Sequence, residues 1–412
     1  MSGRFSDVDV VVVGAGAAGL AAARELSRAK ISHVVLEARG RAGGRGWTLD
    51  VGGFPLDMGC GWLHSAKANP FVDVADENGV ELDRSAAPWQ KPSWTGNFPL
   101  AEQEAYRAEW ERFYERLEAG ARDEADRPAS DFLTPGHPAN PMLDAGSTFI
   151  NGVELAGLST IDYDRYVDTG VNWRAPIGFG ALIAKLGAGS PVEYNCPVSL
   201  IDHSAARLRV ETPRGSIHCR AVIVTASTNL IATEALRFSP RLPEKTAAAD
   251  KLPLGLADKL FMQVERADDL PLEGRVYGAR DNTAMASYHT RPFGRPLIEC
   301  YFGGAFAREL ENAGEPAFAD FAVSQLAAAF GTDMRGRLKP LAASRWARDP
   351  FALGSYSHAR VGCAEARATL AAPVEDRIFF AGEACSRHDF STAHGAFRTG
   401  VAAARAAMGA VT

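Results

Sequence analysis

The sequence predicts an α/β fold organised on a dinucleotide-binding βαβ unit. Three observations carry that expectation: a β-branched run that ends in a glycine-rich turn, a helix with an apolar stripe directly after it, and an acidic residue closing the next strand. Residues 7–13 include Val8, Val10, Val11, Val12 and Val13, the near-continuous apolar pattern of a strand covered on both faces. Gly14-Ala15-Gly16-Ala17-Ala18-Gly19 follows, and Leu20, Ala23, Leu26 and Ala29 then share one helical stripe. Residues 31–36 read as the second strand, with Glu37 at its end, 23 positions beyond Gly14. Gly14 permits the tight turn, Gly16 lets a pyrophosphate approach the backbone, and Gly19 allows close helix–strand packing. The helix N-terminus, with Ala18 in its first turn, offers amide donors and a positive dipole end to phosphates. Glu37 is placed to accept from an adenosine ribose and would repel a 2′-phosphate, which argues against NADP.

The rest of the chain is of ordinary globular character. Its 412 residues suggest two or three lobes, and 46% hydrophobic against 23% charged residues exclude a disordered or fibrous chain. A net charge of −6 gives no global attraction for nucleic acid or anionic lipid. Residues 1–9 are polar and the first apolar run is four residues long, so no signal peptide is expected. No stretch reaches the roughly 18–20 apolar residues of a membrane span; the alanine-rich 401–411 segment is broken by Arg405. Six cysteines, at 60, 196, 219, 300, 363 and 385, show no C-x-x-C spacing. A disulfide scaffold or a zinc site is therefore not expected, and a reducing, cytoplasmic compartment is.

Further elements follow in order. Tyr106, Trp110, Phe113 and Leu117 are spaced by 4, 3 and 4, an amphipathic helix. The 128–152 segment is rich in Pro and Gly with little periodicity and reads as a long loop, functional or merely connecting. Residues 191–225 look strand-rich. Residues 258–264 alternate, with Lys259, Phe261 and Gln263 on one face. A helix is expected over 318–330, a short strand over 377–381 and a small-residue helix over 392–408.

After Glu37 comes Ala38-Arg39-Gly40-Arg41-Ala42-Gly43-Gly44-Arg45. Gly44 and its neighbour let backbone lie against a ligand, and Arg39 and Arg45 can neutralise diphosphate charge. A nicotinamide dehydrogenase has no general need for this element, so FAD is favoured over NAD.

Four more segments, with the two above, make the chain similar to the flavin-containing amine oxidase family, which includes monoamine oxidases, polyamine oxidases and lysine-specific histone demethylases. Asp57-Met58-Gly59-Cys60-Gly61-Trp62-Leu63-His64 resembles the family's D-x-G-x-x-W-[IL]-H stretch along the flavin. Asp258-Lys259-Leu260 resembles the strand that brings a lysine to the isoalloxazine. Trp346-Ala347-Arg348-Asp349-Pro350, continuing to Gly354-Ser355-Tyr356-Ser357, resembles W-x-x-D-P-x-x-x-G-S-Y-S. Ile378-Phe379-Phe380-Ala381-Gly382-Glu383 and Ala393-His394-Gly395-Ala396 resemble the C-terminal flavin motif. Residues 80–180 and 265–340 have no clear match.

The resemblance implies a two-lobed fold: a Rossmann-like FAD-binding domain (1–79, 185–250 and 345–412) and an α+β substrate-binding domain (80–184 and 251–344). It implies that Glu37 holds the adenosine ribose, Arg39 and Arg45 the diphosphate, Val198 the adenine, and Glu383 the ribitol. Met58, Gly59, Gly61, Trp62, Trp346 and Gly382 lie along the flavin. Thr392 and Ala393 begin a helix whose amides face the flavin N1/O2 edge and would stabilise reduced flavin. Lys259 would stand near N5, through a water. Tyr356 would form one wall of an aromatic cage that steers an amine. Monoamine oxidases have a second cage tyrosine where this chain offers Phe390 and Thr392. His64 and Trp62 would line the same cavity. Ser355 stands where monoamine oxidases carry the cysteine that tethers flavin, so FAD is expected to be non-covalent.

The expected reaction is oxidation of a small-molecule amine to an imine, with O2 returning as H2O2. Two relatives of that reaction stay open: an L-amino-acid oxidase with Arg174, Arg291 or Arg295 anchoring the carboxylate, and a dehydrogenase or desaturase with another acceptor. No nucleic-acid, membrane or metal partner is expected, and oligomeric state is not readable.

Overall fold

The computed structural model describes residues 7–123 and 125–411, so the polar leader at 1–6 lies outside the described residues. In chain order the strands are β1 (Val10–Val13), β2 (His33–Leu36), β3 (Thr48–Val51), β4 (Phe54–Asp57), β5 (Val192–Glu193), β6 (Leu200–Asp202), β7 (Leu208–Thr212) and β8 (Gly215–Cys219). They continue with β9 (Ala221–Val224), β10 (Arg237–Ser239), β11 (Ala257–Val264), β12 (Gly274–Tyr277), β13 (Ser287–Thr290), β14 (Leu297–Gly303), β15 (Leu338–Ala343) and β16 (Ile378–Phe380).

The β-branched run forms the centre of a five-stranded parallel sheet in the order β16-β9-β1-β2-β5. Strand alternation divides its valines. Val10 and Val12 pack with Leu20, Ala21 and Ala404, and Val11 and Val13 with Ile201, Val210 and Phe380. The first face is covered by the helices Ala17–Arg28 and Ala393–Val411. These two helices touch backbone to backbone: a Cβ on Gly400 would lie 2.1 Å from the Ala18 carbonyl oxygen. The second face packs on the small sheet β10-β6-β7-β8. The expected elements at 31–36, 191–225, 318–330, 377–381 and 392–408 are all present, the last two helices running Glu315–Phe330 and Ala393–Val411.

The second large sheet, in the order β12-β13-β14-β11-β15, is antiparallel throughout. One face is apolar: Leu260, Met262, Ile298, Cys300 and Phe302 pack against Phe318, Ala322 and Leu326 of the helix Glu315–Phe330. The other face is lined by Lys259, Tyr301, Glu299, His289 and Arg275, and it looks into a cavity.

The 128–152 segment is not a loop. It holds a helical turn, Ala129–Phe132, and a full helix, Asn140–Asn151. Pro141 in the first turn suits a helix start. Gly146 breaks the apolar periodicity because Trp110 lies against it: a Cβ there would sit 2.9 Å from the indole. The helix read from Tyr106 to Leu117 runs Leu100–Gly120 and buries Phe113 and Leu117. No helix among the described residues is long and apolar enough to cross a membrane.

Candidate active site

A continuous cavity of about 950 Å³ runs from the glycine-rich turn, past Val198 at one end, to the charged face of the antiparallel sheet. Gly14, Gly16, Ala18, Glu37, Arg39, Gly44, Arg45, Met58, Gly59, Gly61, Trp62, His64, Val198, Lys259, Trp346, Tyr356, Gly382, Glu383, Thr392 and Ala393 all line it. Gly19 does not, and its task is the one read from the sequence. A Cβ there would lie 1.8 Å from the Gly14 carbonyl oxygen, so only glycine lets the helix start this close to the turn.

The cradle end is rigid and already hydrogen-bonded. Glu37 is buried, and its two carboxylate oxygens accept from the amides of Ala15 (2.7 Å) and Arg39 (2.8 Å). Each oxygen keeps a lone pair for a hydroxyl. The two arginines expected on the diphosphate are engaged elsewhere in the structure. Arg39 forms a two-point pair with Asp349, with Nη2 2.5 Å and Nε 3.3 Å from its two oxygens. Arg45 Nη1 donates to Glu383 at 2.8 Å and to the Ser355 carbonyl at 2.7 Å. Both remain on the cavity wall as positive charge, held by carboxylates instead of free.

Glu383 is a hub. Besides Arg45, it accepts from the Ser357 amide (3.2 Å), the Ser357 hydroxyl (2.6 Å) and the Ser391 amide (3.0 Å). Burial alone would raise its pKa; the Arg45 charge, the Ser357 bond and the Arg367 charge outweigh burial and hold it below the usual glutamate value. Thr392 caps the last helix: its hydroxyl accepts from the Gly395 amide at 3.0 Å. The amides of Ala393 and His394 at that helix start find no acceptor among the described residues. Thr392 and Ala393 line the cavity, so the N-terminus of a 19-residue helix meets it and favours an anion there.

At the other end, Lys259 is 4% exposed despite its charge. Nζ lies 2.7 Å from Glu299 Oε1 and donates to the Asp57 carbonyl at 3.0 Å. Burial disfavours the ammonium, but Glu299, Tyr301 and Asp57 outweigh it and raise the lysine pKa. Glu299 is held at about 2, burial being overcome by Lys259 and His289. His289 lies between Glu273 (2.7 Å) and Glu299 (3.7 Å), and Arg174 pairs with Glu273 and Asp83. A row of alternating charges thus crosses the sheet away from Lys259.

Aromatic rings close the chamber. Tyr356 donates to the Phe149 carbonyl at 2.5 Å, and its hydroxyl is 3.3 Å from that of Tyr301. Burial pushes both phenols up, so both are neutral. Tyr301, not a residue near the last helix, is therefore the ring beside Tyr356. Phe390 lies over the Arg367 guanidinium at 3.9 Å and against Tyr166. Trp62 packs on Trp89 and under Arg174. His64 Nδ1 is 2.6 Å from Asn172 Oδ1, which places the proton on Nδ1 and leaves Nε2 as an acceptor. Burial, its largest influence, holds the imidazole pKa below 6.5.

Ser355 is bonded through its hydroxyl to the Ala257 amide and carbonyl, both at 2.8 Å. Cys363 and Cys385 do not line the cavity; Cys60 does, and burial raises its thiol to about 12. The three candidate carboxylate anchors are also outside it. Arg174 is engaged as above, Arg291 pairs with Asp268, and Arg295 donates to the Pro176 carbonyl. Sequence reasoning missed Glu299, Tyr301, His289, Asn172 and Arg367. A carboxylate inside the apolar run Leu297-Ile298-Glu299-Cys300 was the available signal for the first.

These residues fit FAD. The turn that admits no Cβ at Gly19, the free amides at the last helix and the cavity's reach from Val198 to Lys259 match a dinucleotide joined to a flat ring.

A family model described as flavin containing amine oxidoreductase matches residues 17–97 and 91–408. Polyamine oxidase 4 of Oryza sativa subsp. japonica is 29% identical over 97% of this chain and 88% of its own length. Lysine-specific histone demethylase 1 homolog 2 of the same plant is 30% identical over 95% of this chain but only 56% of its own. A solved structure of wild-type putrescine oxidase bound to putrescine superposes with a TM-score of 0.77 at 18% identity, over 97% and 98% of the two chains.

Proposed function

The chain belongs to the flavin-containing amine oxidoreductases, with FAD as cofactor, and on that premise we propose that it oxidises a small-molecule amine to an imine at the Lys259 end of the cavity. The observation that carries this reading is the continuity of one cavity from the Gly14 turn to the Lys259–Glu299 pair and the Tyr356–Tyr301 wall. FAD, once bound, would supply a two-electron acceptor for hydride from the carbon beside an unprotonated amine, the imine would hydrolyse to a carbonyl compound, and O2 would be the terminal acceptor, leaving as H2O2.

The protein's own residues bind, orient and exclude water. Glu37, Glu383 and the helix-start amides hold the cofactor's polar parts. Tyr356 and Tyr301 offer ring faces and a neutral hydroxyl pair to the substrate's amine end. His64 Nε2, kept neutral by burial, is an acceptor for a substrate N–H. Lys259 keeps its ammonium through Glu299 and Asp57, so a positive donor stands ready for a water or a developing negative charge. Ser355 stands where the resemblance places a tethering cysteine, with its hydroxyl bonded to the Ala257 amide and carbonyl, and we therefore read the cofactor as non-covalent.

An absorbance spectrum of the purified protein, before and after denaturation, tests the cofactor. Flavin released as free FAD is expected; a colourless protein that FAD cannot reconstitute overturns the reading. Anaerobic bleaching by an amine, with peroxide on readmitting air, is the expected second result. Bleaching without peroxide would replace O2 with another acceptor.

A further inference from the structure

The substrate end of the cavity carries more positive than negative charge. Its lining includes Lys91, Arg107 and Arg275, none of which has a carboxylate within ion-pairing distance among the described residues. Of the two carboxylates there, Glu299 is paired with Lys259, while Asp168, near His64, accepts from the neutral Ser65 hydroxyl and Gly170 amide and keeps its charge. A chain of ammonium groups entering this chamber would meet three unpaired cations against one unpaired carboxylate.

Arg275 is held in a defined pose. Its guanidinium lies 4.5 Å over the Tyr277 ring, and Nε is 3.4 Å from the Ser287 hydroxyl. Its two terminal amino groups make no hydrogen bond to the described residues. A half-buried guanidinium, set over an aromatic ring with its fork free, matches an oxyanion at two points. Its place in the sheet also fixes a distance. Arg275 pairs with His289, His289 with Glu299, and Glu299 with Phe261, two residues from Lys259. Three strand spacings separate β12 from β11, but Arg275 Nε reaches Ser287, which pairs with Tyr301 opposite Lys259, so the guanidinium stands two spacings, about 10 Å, from the Lys259 strand. A carboxylate on the oxidised carbon itself would stay at the Lys259 end.

We propose that the substrate is an amine bearing an oxyanion, carboxylate or phosphate, at the far end of an extended chain, and that Arg275 is the specificity-determining residue that receives it. Lys91 and Arg107, exposed at the rim, steer it in. This rests on the amine-oxidising reading above and narrows its substrate.

The test is anaerobic flavin reduction in the full-length holoenzyme with hexylamine, 1,6-diaminohexane, 6-aminohexanoate and 6-aminohexyl phosphate. The expected result is that one or both oxyanion-bearing amines bind about tenfold to a hundredfold tighter than the diamine. Arg275→Gln should remove about tenfold or more from that preference, measured as a ratio to hexylamine, and Arg275→Lys should restore part of it. Hexanoate, which cannot be oxidised, should perturb the flavin spectrum of the parent enzyme and do so less in Arg275→Gln. A preference for the diamine, or a ratio unmoved by Arg275→Gln, overturns the inference while hexylamine bleaching leaves the amine-oxidising reading intact. Failure of every amine to bleach the flavin overturns both. The carboxylate and phosphate arms identify which oxyanion is taken.

Discussion

Two buried charge systems reach the cavity, and they are built differently. Behind the cofactor cradle, Arg367 and Asp162, 1% and 0% exposed, form two parallel bonds of 2.7 Å. Arg367 also donates to the Ser357 hydroxyl, which donates to Glu383, which pairs with Arg45. Phe390 covers the guanidinium. Every charge there is answered by protein, and the partners come from segments far apart in the chain. The row on the antiparallel sheet runs Lys259, Glu299, His289, Glu273, Arg174 and Asp83, and its first three members open on the cavity. The first system locks segments together. The second is exposed to whatever binds, so its protonation and its unpaired neighbour Arg275 can be read by a ligand. Access to the cavity separates a structural ion pair from a functional one more clearly than burial: Arg367 and Asp162 form no part of the cavity wall, whereas Lys259, Glu299 and His289 do.

The largest effect should come from opening the closed system. Arg367→Met leaves Asp162 buried without its partner, at a cost of about 3–5 kcal/mol. Urea unfolding should show a lower midpoint with an unchanged slope, and Asp162→Leu with Arg367→Met should recover part of the loss. A midpoint unmoved by Arg367→Met would erase the contrast. Next, Lys259→Met should keep the fold, because Glu299 retains His289, yet slow a flavin half-reaction about a hundredfold in stopped-flow absorbance. A smaller effect is expected in the cradle, where Glu37→Gln keeps one of two amide bonds; FAD should bind about tenfold more weakly by fluorescence titration.

The smallest effect is the pH dependence of the open row. Burial lowers the His289 pKa, but the bonds and charges of Glu273 and Glu299 outweigh it and raise it above 6.5. Its contribution to stability is therefore complete below about pH 6.5 and fades as pH rises through the folded-state value. His289→Asn should flatten that alkaline decline in a series of urea midpoints. Glu273 and Glu299, held at about 2 against an ordinary 4.5, contribute above pH 4.5 and lose that contribution as pH falls toward 2. If stability does not change with pH across both windows, the row is not titrating as a unit.

The sequence by itself determined the parallel sheet, the glycine turn, the position of Glu37, the strand carrying Lys259 and the final helix. Each rests on a local pattern: a β-branched run, a glycine that no other residue can replace, or a period of 2 or 3.6. The helix Asn140–Asn151 was hidden because its buried face carries Ser147, Thr148 and Asn151 beside Met142 and Leu143, and its glycine answers a contact with Trp110. Arg39 and Arg45 were legible as cavity cations, but their partners Asp349 and Glu383 lie 310 and 338 residues away. Beyond Lys259, the charged row, and Arg275 beside it, was decided by tertiary structure. Arg275, His289 and Glu299 look like surface residues one at a time; only the pairing register of β12, β13 and β14 sets them side by side on a face covered by the rest of the chain.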